Sequence, residues 1–167
     1  MSESVTVTET LPETVEISPV DTSDIETVVE LWLALVRSQQ QYGTHLKGEA
    51  NKHRVQQALA RYAASDRLLV ATHHSDETPI GFVMFRVEQQ NYAVDVSRGL
   101  IENLYVSQEH RGACIGSALI ERAESALAER AVEVIGIEAM AANEFVHELY
   151  RRHGYEPHRM VFEKSIE

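Results

Sequence analysis

Apolar positions along this chain follow two periods, and the boundaries between them outline the elements. Ile25, Val28, Val29, Leu31, Trp32, Leu35 and Val36 recur at helical spacing and predict a helix over 23–40. Ser23 and Glu26 at its start fit a capping box. Val55, Leu59 and Tyr62 carry a second helical stripe over 49–64. A third helix is predicted over 118–130 and a short fourth over 143–152, ended by Gly154. Between them lie shorter runs rich in β-branched residues, predicting strands over 15–17, 68–72, 80–88, 101–106, 132–139 and 160–162. Gly81 marks a bulge or a close backbone approach. Residues 1–14 carry Ser, Thr, Glu and Pro12 without periodicity and read as a flexible tail, followed by one α/β domain over 15–167.

The junction of the 101–106 strand and the third helix carries the strongest chemical signal. Arg111, Gly112, Ala113, Cys114, Ile115, Gly116 and Ser117 form a tight, small-residue loop between them. The first N–H groups of a helix lack intrahelical partners and carry partial positive charge. Small residues let phosphate oxygens approach those groups, and Arg111 adds a full charge. Two common phosphate loops fail on spacing. Gly112 and Gly116 are four apart with no lysine after them, unlike a P-loop, and the Gly-x-Gly-x-x-Gly dinucleotide pattern is absent.

What remains resembles the GNAT superfamily of N-acetyltransferases, whose Gln/Arg-x-x-Gly-x-Gly/Ala loop binds the pyrophosphate of acetyl-CoA. Arg111, Gly112, Ile115, Gly116 and Ser117 match the common form Arg-Gly-x-Gly-Ile-Gly-Ser, whereas Cys114 stands where the family usually has glycine. Two flanking segments extend the resemblance. Residues 102–106 look like the family's fourth strand, and Asn143, Tyr150, Gly154 and Tyr155 are in register with Asn-x6-Tyr-x3-Gly-Phe/Tyr. The resemblance implies a mixed, mostly antiparallel sheet of six to seven strands with about four helices. It also implies direct acetyl transfer from acetyl-CoA, as co-substrate, to a primary amine of a small molecule or a protein. A noncatalytic acyl-CoA-binding module of the same fold is the alternative.

The same resemblance suggests roles. An alkylammonium with a pKa near about 10.4 must lose a proton before it attacks a thioester. Glu102 is the candidate base; its other reading is an exposed strand carboxylate. On an unbroken strand it shares a face with Leu104 and Val106. The backbone N–H groups of Leu104, Tyr105 and Val106 would serve the thioester and the pantetheine arm, beside a sheet that the family bulges and splays. Asn143 would hold the same arm, and Tyr150 would protonate the departing thiolate, unless it is only a packing residue. Tyr42 and His45 lie in a loop that in the family borders the acceptor. Arg151, Arg152 and Arg159 read as a solvated face or as a basic edge near the adenosine phosphates. Cys114 reads as a small buried hydrophobe rather than a nucleophile, and it is strained if the family's glycine geometry has positive φ.

Composition narrows the classes. A net charge of −11 over 167 residues argues against sequence-independent nucleic-acid binding. Three lysines against twelve arginines on an acidic chain raise the hypothesis of a high-salt organism. One cysteine excludes an internal disulfide, and the absence of long apolar runs or a secretory pattern leads to the expectation of a cytoplasmic protein away from membranes. The eight histidines show no metal-binding spacing, so no metal is expected. A homodimer is left open, with the carboxy-terminal strand as a participant.

Overall fold

Alternation on the central strands sets the architecture. The computed structural model describes residues 10–166, so the first nine residues of the expected tail and Glu167 lie outside the described residues. Strand β2, Leu68–His73, and strand β3, Pro79–Val87, are apolar on both faces because each face meets a different layer. Leu69, Ala71, Val83 and Phe85 point to one cluster; Leu68, Val70, Phe82 and Met84 point to the other. The first cluster is closed by helix α3, Ile115–Ala128, through Ile115, Leu119, Ile120, Ala123 and Leu127. Helix α1, Ile25–Gln40, and helix α2, Lys52–Ala64, close the second, with Val28, Trp32, Leu33, Val36 and Leu59 buried. Three layers result: two helices, a sheet, and α3 on the far side.

The α1 stripe is as expected, but its start differs from the predicted capping box. A short 3-10 turn, Thr22–Asp24, precedes it, and the Asp21 carboxylate accepts the Ser23 N–H at 2.9 Å. Asp is a strong acceptor for such N–H groups, and here it displaces the Ser23–Glu26 pair.

Strand β1, Val15–Pro19, strand β4, Arg98–Val106, and strand β5, Val134–Ile137, complete the sheet in the order β1-β2-β3-β4-β5. The first three pairings are antiparallel and β4–β5 is parallel, joined through α3. Helix α4, Glu144–Arg152, follows β5. Among the described residues this gives five strands and four α-helices, one or two strands fewer than expected. No helix there is long and apolar enough to cross a membrane.

The missing strand is the predicted 160–162 run. Met160, Val161 and Phe162 are 72%, 81% and 89% exposed and pair with no strand. Strand-forming side chains make a strand only where they pair with a neighbouring strand. Here the segment is held elsewhere: Tyr155 donates to Glu124 of α3 at 2.7 Å, and Glu163 meets His45 of the α1–α2 loop at 2.9 Å.

Two irregularities in the sheet position the chemistry. Between β2 and β3 the register shifts next to Gly81, where an added Cβ would lie 2.9 Å from the Tyr105 carbonyl oxygen. Gly81 is thus the anticipated point of close approach. Between β3 and β4, Met84 pairs with Asn103 but Phe85 pairs with Ile101, so Glu102 is an extra residue in β4. Such a bulge resets which face each side chain occupies.

Candidate active site

The bulge changes where the predicted base points. Leu104 and Val106 pack against the α3 cluster. Glu102 instead reaches Tyr62 of α2 and Arg86 of β3, while Asn103 donates to the Met84 sulfur at 3.6 Å. Tyr62 and Met84 belong to the α1–α2 side. Glu102 therefore does not share a face with Leu104 and Val106, as an unbroken strand would require. The extra residue sends it to the opposite side of the sheet.

Its carboxylate is half-buried and engaged at both oxygens. The Arg86 Nε–H donates to Oε1 at 2.7 Å, and the Tyr62 hydroxyl donates to Oε2. The hydrogen bond to Glu102 raises the Arg86 pKa above its ordinary value. Burial first, and then the bond to Glu102, pushes the Tyr62 phenol up to about 12. Tyr62 thus remains a donor throughout the neutral range.

A gap in the sheet opens beside this carboxylate. β4 pairs with β5 only from Arg98 to Ile101, where β5 ends at Ile137. From Glu102 to Val106 the strand continues without a β5 neighbour. The resulting cleft is lined by Glu102, Asn103, Leu104, Ile137, Glu138 and Tyr150, with Leu35 and Gln39 of α1 closing one wall. The bulge and the end of the β4–β5 pairing thus both fall at the strand beside which the resemblance implied an irregular sheet.

Tyr150 enters the cleft from α4. Burial pushes its phenol up to about 12. Its ring lies 6.2 Å from that of Tyr155 between centroids. At the start of α4, Asn143 is the N-cap, and its side-chain oxygen accepts the Val146 N–H at 3.4 Å. That capping role occupies the Asn143 oxygen and leaves its amide nitrogen to donate.

The 111–117 loop lies between β4 and α3. Gly112 has φ +80°, a conformation open to glycine at little cost. Cys114 is the N-cap of α3 with φ +62°. The condition under which cysteine would be strained is therefore met. The first intrahelical bond runs from the Ala118 N–H to the Cys114 oxygen at 3.1 Å. The N–H groups of Ile115, Gly116 and Ser117 precede it in the first turn. Arg111 lies across the Tyr105 ring and donates to the Val106 carbonyl at 3.2 Å. The Ser117 hydroxyl is 2.9 Å from His153 Nε2. An expected result follows for Cys114→Gly. Removing a side chain from the left-handed region should raise unfolding stability by about 1 kcal/mol, or roughly 2–4 °C in a thermal melt. An unchanged or lowered melting temperature would count against strain at this position.

A sequence model described as the Acetyltransferase (GNAT) family matches residues 32–155, which span from α1 past α4 and include every element of the cleft. The chain belongs to the GNAT acetyltransferase family. As a GNAT protein it is an acyltransferase by chemistry. Among solved structures it is similar to a GCN5-related N-acetyltransferase from Ralstonia eutropha JMP134, at 25% identity and TM-score 0.71, covering 90% of this chain and 98% of that one. A chain of the NatC complex bound to Gag peptide and CoA shares the fold at 18% identity and TM-score 0.69, covering 87% and 86%. Glucosamine-6-phosphate N-acetyltransferase from Arabidopsis thaliana does so at 14% identity and TM-score 0.68, covering 93% and 100%. Among curated proteins none matches in sequence.

Within this GNAT fold, β4 and α4 bring Glu102, Leu104 and Tyr150 to one cleft, with the 111–117 loop at the end of the same strand. Tyr42 and His45 lie in the α1–α2 loop, outside that lining. Arg86 and Tyr62 were missed. Arg86 had a legible signal, as the sole charged residue in an apolar strand. Tyr62 had none, because it completes the helical stripe of Val55 and Leu59 and reads as packing.

Proposed function

We propose that this protein is an N-acetyltransferase that moves the acetyl group of acetyl-CoA directly to a primary amine within a ternary complex. One observation carries the reading: β4 loses its β5 neighbour at Glu102, in a cleft that also receives Tyr150. The main-chain groups of Leu104, Tyr105 and Val106 would hold the pantetheine arm and the thioester oxygen. The backbone of residues 111–117, with Arg111, would hold the diphosphate. Asn143 would donate its amide N–H to the arm. Glu102 would take the proton from the attacking amine, and Tyr150 would donate to the departing sulfur.

The acceptor is best read as cationic. The charged residues lining the cleft are Glu102 and Glu138, and no lysine or arginine lines it among the described residues. An overall charge of −11 adds attraction for positive amines. The test is release of free thiol from acetyl-CoA across a panel of polyamines, aminoglycosides, amino-terminal peptides and lysine peptides. Amine-dependent release supports the enzyme. Calorimetric binding of acetyl-CoA without release from any amine would instead favour a noncatalytic acyl-CoA-binding module.

A further inference from the structure

We infer that Tyr62 and Arg86 form a two-donor clamp on the Glu102 carboxylate, which makes Tyr62 a positioning residue for Glu102. The inference rests on the proposed reading of Glu102 as the group that receives the acceptor's proton. Three elements converge on one carboxylate: Tyr62 from α2, Arg86 from β3, and Glu102 from the bulge in β4. Glu102 lines the cleft, whereas neither Tyr62 nor Arg86 does. The two donors thus bind the carboxylate from behind.

A carboxylate offers about four lone-pair sites, and the clamp occupies two of them. The remaining sites can face an amine or a bridging water. Free rotation of a glutamate would spread those sites over several orientations, and fixed donors remove that freedom. Tyr62 is itself held, because the Arg67 guanidinium lies 4.4 Å from its ring centroid. The other charged or titratable groups around Glu102 are known. Glu88 acts on Arg86 from just past the same strand, Glu138 shares the cleft at the end of β5, and Tyr150 enters from α4. Helix α1 contributes only Leu35 and Gln39 to the cleft lining.

The bulge explains why the clamp exists. A regular β4 would place Glu102 on the α3 face with Leu104, away from both donors. A hydroxyl that donates to a carboxylate polarises the accepting oxygen and fixes its direction. Removing that hydroxyl while keeping the ring isolates the effect. In Tyr62→Phe, the 13C resonance of the Glu102 carboxyl carbon, read at fixed neutral pH, should move, because the carboxylate loses one of its two donors. At the same pH kcat should fall about tenfold with KM for acetyl-CoA unchanged. In a Glu102→Gln background the same substitution should cost nothing further in kcat.

An unmoved Glu102 carboxyl resonance in Tyr62→Phe would overturn the clamp. So would an equal loss of kcat in the Glu102→Gln background, since that would mean Tyr62 acts without Glu102. A moved carboxyl resonance with an unchanged kcat would uphold the clamp and discard Glu102 as the proton acceptor.

Discussion

Glu102→Gln is expected to lower kcat at neutral pH by about 100-fold or more, with acetyl-CoA binding retained. The amide keeps the shape of the carboxylate and can still accept from Tyr62 or Arg86, but it cannot take a proton. At neutral pH only about one alkylamine in a thousand is already neutral. Without a base the reaction depends on that fraction and on loss of the proton to water. The substitution also leaves the half-buried Arg86 without its anionic partner, so a modest drop in melting temperature should accompany it. Activity and stability can be separated by measuring kcat well below the melting temperature and acetyl-CoA affinity by calorimetry. A Glu102→Gln enzyme that turns over like the wild type, at saturating amine, would remove Glu102 from the chemistry.

Tyr150→Phe is expected to lower kcat by about 10- to 100-fold, and the loss should depend on the leaving group. Burial pushes the Tyr150 phenol up to about 12, against about 8.5 for a thiol. Complete transfer of its proton to the thiolate is then uphill by roughly 5 kcal/mol. A hydrogen bond that strengthens as the C–S bond breaks fits those values better than a full transfer. An acyl donor whose thiol is more acidic needs less of this assistance, so an aryl thioester should restore most of the lost rate. The sign of the pH dependence also follows. Tyr150 must stay protonated to donate, and it remains so until the pH approaches about 12. It should therefore produce no falling limb in kcat between about pH 7 and 10. A limb near about pH 8 that vanishes in Tyr150→Phe would contradict this assignment.

The amino-acid pattern disclosed the scaffold more fully than the site. The stripe from Ile25 to Val36 is a strong periodic signal, and the continuous apolar runs of β2 and β3 mark strands buried on both faces. The loop before α3 was legible for a similar reason, since glycine and small residues at fixed offsets have a steric purpose. The bulge at Glu102 was not legible. Nothing in the residues around it distinguishes a paired position from an extra one, since register is decided by the neighbouring strand. That hidden count of one also concealed the meeting of Glu102 with Tyr62 and Arg86, which lie 40 and 16 residues away. The exposed 160–162 run failed in the opposite sense. Its side chains promised a strand, but propensity alone does not supply a pairing partner, and the residues on either side are tied to Glu124 and His45 instead.

A carboxylate aimed by an additional residue is sensitive to length before it is sensitive to identity. Conservative exchanges along β4 would adjust the local chemistry while the direction of residue 102 stayed the same. Loss of a single codon just upstream would rotate the acid through the sheet and into the hydrocarbon of α3. Among natural variants of this chain, indels in that stretch should accordingly be rarer than substitutions.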